Sequence, residues 1–120
     1  MSRSARSVFV FGIYLAVLGA ILVVVPNLFL AVFRFPATSE AWIRVVGVLF
    51  VCLAYYYIQT ARMELSPFFE LTVYARSLVI VFFLTFVALR LARPTLLVLG
   101  AIDLGAALWT RAALRAEGDG

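Results

Sequence analysis

Apolar residues run through this chain in four blocks, 8–25, 42–60, 68–89 and 95–108, separated by short segments that hold the four prolines and four of the ten arginines. Each block is close to the roughly 20 helical residues that cross a hydrocarbon core of about 30 Å. Helix is the only spanning structure this pattern allows. Unpaired backbone groups cost several kcal/mol each in lipid, and the period-two alternation of a barrel strand is absent. The predicted fold is all-α: an integral membrane four-helix transmembrane bundle in one domain, 1–120, with spans at about 8–25, 42–60, 68–89 and 95–111.

The polar breaks punctuate these helices. Pro26-Asn27 ends or kinks the first span, because proline lacks the N–H that would continue it. The following stretch, 28–35, is too apolar to be a free soluble loop, and is expected to extend the helix or lie at the interface. Residues 35–39 read as a loop, with Thr38 or Ser39 as N-cap of the second span. Ser66-Pro67 marks the third start, with Ser66 capping, Pro67 in the first helical position and Glu70 in the first turn, where an acid suits the dipole. Arg93-Pro94-Thr95 is so short a connection that the third and fourth helices form an antiparallel hairpin, and Gly118-Asp119-Gly120 reads as a frayed tail. Small residues four apart, Gly12, Ala16 and Ala20 in the first span and Ala101 and Gly105 in the fourth, mark faces where helices approach in lipid. No repeat relates the two halves, so the inverted-repeat signature of a transporter is missing.

Composition sharpens this picture. With 66% hydrophobic and 13% charged residues and a mean hydropathy of +1.12, the apolar excess over a soluble domain must face lipid. Ser2 to Ser7 ahead of an apolar run resembles a secretory signal, but the run is long and ends in Val25-Pro26-Asn27 without a small-x-small cleavage site. It reads as a permanent first span. The net charge of +4 comes from arginine alone, without lysine or histidine, which reflects genome composition. These arginines are spread between spans, which argues against a nucleic-acid partner. Arg3, Arg6, Arg62, Arg111 and Arg115 fall on one side, with Arg76 deeper, against Arg34, Arg44, Arg90 and Arg93 on the other. That excess predicts both termini in the cytoplasm.

Few residues can carry chemistry. Asp103 lies mid-span, where an acid costs about 2.5–3.5 kcal/mol and normally faces the bundle interior with a partner. Arg76 enters from the opposite side to a similar depth and is the expected partner, either as a functional pair (a proton relay or head-group anchor) or as a bridge locking two helices. Arg44 opens a second row: Arg44, Val48, Val51, Tyr55 and Arg62 share one helical face, with Gln59 at its edge. Asp103, Arg76, Arg44 and Tyr55 together form the candidate interior polar cluster. The tyrosines 55–57 as a group read as an aromatic belt, although at least one ring must turn inward. Cys52 is the only cysteine and forms no intramolecular disulfide. Without histidine, a zinc, haem or Fe–S site lacks ligands, so no metal and no cofactor are expected. Glu64 and Glu70 balance the second loop and form no acid/base pair, and neither a phosphate-cradling loop nor a nucleophile elbow occurs.

Several segments resemble small bacterial four-span membrane proteins of uncharacterised role, loosely similar to the DoxX-like and BphX-like groups. They are Val25-Pro26-Asn27, Trp42 to Gly47, Tyr55 to Arg62, Phe68 to Arg76 and Gly100 to Ala106. The resemblance spans most of the chain. It implies the four-helix architecture and a bacterial inner membrane, and it lends no catalytic residue or substrate. The expected role is non-catalytic: an accessory subunit of a larger membrane complex, or a module binding a lipid-like ligand, with membrane lipids and further copies of the chain as partners. The alternative is a small oligomeric proton-coupled transporter using Asp103, although small multidrug exporters carry their carboxylate in the first span, which has no charge here.

Overall fold

In the computed structural model, which describes residues Met1–Gly118, the chain forms five helices: α1 (Arg3–Val24), α2 (Pro26–Val32), α3 (Trp42–Arg62), α4 (Ser66–Ala88) and α5 (Leu96–Ala116). Four of them are long and apolar enough to cross a bilayer, so this is an all-α, multi-pass membrane protein. Asp119 and Gly120 of the expected tail lie outside the described residues, and Gly118 leaves α5 at φ +80°.

Helix α1 starts earlier than the apolar pattern predicts, at Arg3, because its polar first turn is satisfied from outside. Ser2 Oγ accepts the Ala5 N–H, and the Ser4 N–H donates to Glu117. The helix ends at Val24, and α2 restarts with Pro26 in its first position. The 28–35 stretch is therefore mostly a separate short helix. Leu30 packs with Leu22 and Ile43, while Phe29 and Phe35 cover the same cluster. Thr38 and Ser39 do not cap α3. Asn27 instead clamps Thr38, accepting its N–H at 2.9 Å and donating Nδ2–H to its carbonyl at 3.1 Å. Ser66 does not cap α4 either: it is already helical, Leu65 holds the cap position, and Glu70 lies beyond the first turn. Pro67 stands second in α4, one place after the expected first position but still in the first turn, where its missing N–H is not needed.

Three helices end alike. After α2, α3 and α4 the chain passes through Arg34, Glu64 and Arg90 at φ of 61°, 55° and 60°. The next N–H then returns to a carbonyl five residues back, Phe35 to Leu30, Leu65 to Thr60 and Leu91 to Phe86. Non-glycine residues in this conformation cost about 1–2 kcal/mol each, offset by the carbonyls they satisfy.

Helix α3 packs on α1, α4 packs on α5, and α1 against α5 joins the pairs. The molecule measures 46 × 30 × 17 Å, a flat assembly that leaves most of α3, α4 and α5 facing outward. Helix α1 is the central element, and glycine sets its approach to α3. A Cβ on Gly19 would stand 2.8 Å from the Gly47 carbonyl oxygen, and a Cβ on Gly47 would stand 2.8 Å from that of Gly19. Gly12 meets Tyr57 and Ile58 in the same crossing. The expected spacing of four is thus corrected to one of seven in α1. Ala20 is exposed and Ala16 only partly buried, while in α5 Ala101 is exposed and Gly105 has no neighbour within 4 Å.

Candidate functional site

The α1–α3 and α4–α5 pairs diverge around a cavity of about 270 Å³. Its wall is mainly apolar, including Leu15, Leu18, Phe50, Val79, Phe83 and Leu99. Four polar side chains also line it: Tyr14 from α1, Tyr57 from α3, Arg76 from α4 and Asp103 from α5.

Arg76 is only 3% exposed, and hydroxyl groups hold it in place. Its Nε–H donates to the Thr72 carbonyl at 3.2 Å, while Nη2 donates to Thr72 Oγ1 at 3.0 Å and Thr110 Oγ1 at 2.9 Å. The guanidinium carbon lies 4.8 Å from the Phe11 ring centroid and 5.7 Å from that of Tyr57, both favourable cation–π placements. Nη1 is buried without any hydrogen-bond partner. A polar chain continues away from the cavity. Thr110 Oγ1 and Ser7 Oγ are 2.7 Å apart, Ser7 donates to the Ser4 carbonyl at 2.7 Å, and Ser4 Oγ donates to Glu117 at 2.9 Å.

Asp103 shares the cavity with Arg76 but does not touch it. Among the described residues the one salt bridge joins the Met1 amine to Glu64 at 4.0 Å. The expected direct pair is thus replaced by two charges facing one space, since the arginine is drawn toward Thr72 and Thr110. Asp103, Tyr14 and Tyr57 make no side-chain hydrogen bond to the described residues.

Arg44 and Tyr55 are not part of this site. Their helical face exists as predicted, but Arg44, Val48, Val51, Tyr55 and Arg62 are all exposed, and none but the Val51 methyl, which lies beside Gly19, packs into the α1–α3 crossing. Arg44 reaches back to donate to the carbonyls of Val23 and Val24, which the Pro26 break leaves available, so it closes the C-terminal end of α1. Tyr55 is 62% exposed, and the inward ring of the triplet is Tyr57, at 7%. The signal for Tyr57 lies in the small residues of α3. Gly47, Ala54 and Ala61 repeat every seven residues and are buried, and Tyr57 falls on their face. Tyr14 has no comparable signal beyond a face shared with Phe11 and Leu18. Among the described residues no cluster of three metal-ligating side chains occurs. Comparison with protein-family models, with curated proteins and with solved structures finds no match to this chain.

Proposed function

We propose that this protein is a non-catalytic membrane module that binds a lipid-like molecule between its two helix pairs. The observation that carries the reading is the cavity itself, whose wall is largely apolar while the Nη1 of Arg76 and the side chains of Asp103, Tyr14 and Tyr57 have no hydrogen-bond partner among the described residues. Nothing about the site calls for bond chemistry, because it holds one carboxylate and no nucleophile placed beside a base. The arginine excess and the resemblance to small four-span proteins support a bacterial inner membrane with cytoplasmic termini. A role as accessory subunit in a larger complex or a homo-oligomer is compatible with the outward apolar faces of α3, α4 and α5.

Native mass spectrometry of the purified chain tests this. A lipid-sized adduct is expected to survive detergent stripping, and Ala75→Phe, which fills the cavity from its wall, should abolish it while helicity is kept. An adduct indifferent to that change would refute the reading. Proton-coupled solute flux in proteoliposomes, lost in Asp103→Asn, would favour a transporter instead.

A further inference from the structure

We infer that the cavity selects an uncharged amphiphile whose head group both donates and accepts hydrogen bonds, a long-chain monoacylglycerol being the simplest example. The inference rests on the ligand-binding reading above and names its ligand class.

The Arg76 guanidinium carries five N–H groups. Three are committed to Thr72 and Thr110, and the two on Nη1 have no partner. The hydroxyls that hold the arginine supply no negative charge, since Thr72 Oγ1 donates onward to the Phe69 carbonyl at 2.7 Å and Thr110 Oγ1 lies within bonding distance of Ser7 and the Ala106 carbonyl. The carboxylate facing the same space is Asp103, which is not in contact with the guanidinium. The cavity therefore presents one cation and one anion. A fatty acid would be drawn to Arg76 but repelled by Asp103, and an alkylamine would meet the reverse. In a low-dielectric setting like-charge juxtaposition is strongly unfavourable. A neutral hydroxyl head escapes both repulsions, giving a hydrogen to Asp103 and accepting one from Arg76, with the Tyr14 and Tyr57 hydroxyls as further partners. Nη1 is itself buried, so the ligand acceptor reaches it by displacing the Phe11 or Tyr57 ring standing by the guanidinium.

The place for the tail adjoins the head chamber. A second pocket of about 260 Å³ shares Tyr14, Leu18 and Leu99 with the cavity and continues past Ile21 to Leu28 and Phe29 of α2. Tyr14 to Ile21 spans about 10 Å of helix, and the lining has no charged residue. An acyl chain fits along this track, with its head held at Arg76 and Asp103.

The test uses the full chain in phosphatidylcholine nanodiscs, photolabelled with a diazirine-bearing monoacylglycerol and competed with 1-monooleoylglycerol, oleic acid or oleylamine. Monooleoylglycerol is expected to displace the label at concentrations at least about tenfold lower than either charged amphiphile. Asp103→Asn should strengthen competition by oleic acid selectively. Tyr14→Phe, which removes one hydroxyl and keeps the ring, should weaken monooleoylglycerol severalfold. A charged amphiphile that competes as well as monooleoylglycerol, or an unchanged order in Asp103→Asn, would overturn the head-group inference while leaving ligand binding intact. Label that maps to peptides away from the cavity, indifferent to every competitor, would overturn both.

Discussion

Arg76 shows what a single buried charge demands of its surroundings. Its position was legible because an ionised group inside a span is expensive enough to require an interior setting. The partner was not legible, because depth along two helices says nothing about which hydroxyls lie nearer than the carboxylate. Thr72 is one turn before Arg76 on α4, and Thr110 faces it from α5, so the guanidinium is held by neutral acceptors. Tyr14 and the choice of Tyr57 within its triplet are poorly marked in the sequence, because tyrosine is tolerated at cores, interfaces and belts alike. Thr110 is the hub of the network: it is fully buried, and its Oγ1 lies within hydrogen-bond distance of Arg76, Ser7 and the Ala106 carbonyl. Thr110→Val should lower stability in a detergent unfolding titration by about 1–3 kcal/mol, the cost of leaving buried polar groups unpaired. Thr85→Val removes a hydroxyl that bonds only the Val81 carbonyl on an exposed face, and should change stability by less than about 0.5 kcal/mol. In a double-mutant cycle Arg76→Gln should couple more strongly to Thr110→Val than to Asp103→Asn. Equal losses from the two threonine variants would mean that the network does not hold the arginine.

Element by element, the long apolar blocks and the prolines gave reliable spans, while capping side chains and small-residue spacing did not. The reason is physical. A block of about 20 apolar residues has one way to satisfy its backbone in lipid, whereas the Thr38 hydroxyl has an equally good use in accepting the Glu40 N–H, ahead of α3. Small residues behaved likewise, since alanine and glycine mark a close approach only where a partner backbone is present. Gly19 and Gly47 meet such a partner and Gly105 does not. Gly19→Val would force its side chain against the Gly47 carbonyl and the Val51 backbone nitrogen, neither of which can rotate away. A loss of about 1–3 kcal/mol or more is expected from overpacking. Gly105→Ala should do the opposite and stabilise α5 by about 0.5–1 kcal/mol through helix propensity. Thermal denaturation in one detergent compares the two directly. A neutral Gly19→Val would show that α1 and α3 are not so closely apposed.

At the scale of the whole molecule, one end is sewn together by carboxylates. Glu117, beyond α5, accepts the Ser4 N–H at 2.8 Å, and Glu64, between α3 and α4, accepts the Ser2 N–H at 2.8 Å with the Met1 amine 4.0 Å away. The start of α1, the end of α5 at Glu117 and the α3–α4 turn therefore gather at one face, the face proposed above to be cytoplasmic. A reporter fused after Arg115 should be active only in its cytoplasmic form, and a periplasmic signal there would reverse the orientation. The same contacts make a prediction about pH. The hydrogen bonds from Ser2, with a smaller contribution from the Met1 amine, hold the Glu64 carboxyl below its ordinary value of 4.5. The unfolded chain then binds more protons than the native one between the depressed value and the ordinary one, so stability rises with pH across that window. The contribution is complete above pH 4.5 and is lost as acidification passes through the depressed value. Because Glu64 is solvent-exposed, the slope should be shallow and should weaken in high salt. Glu64→Gln keeps an acceptor for the Ser2 N–H but removes the titration, and so should flatten this part of the unfolding-versus-pH curve without disturbing the spans. A slope that persists unchanged in Glu64→Gln would locate the acid sensitivity elsewhere and leave the α1 terminus untethered to the α3–α4 turn.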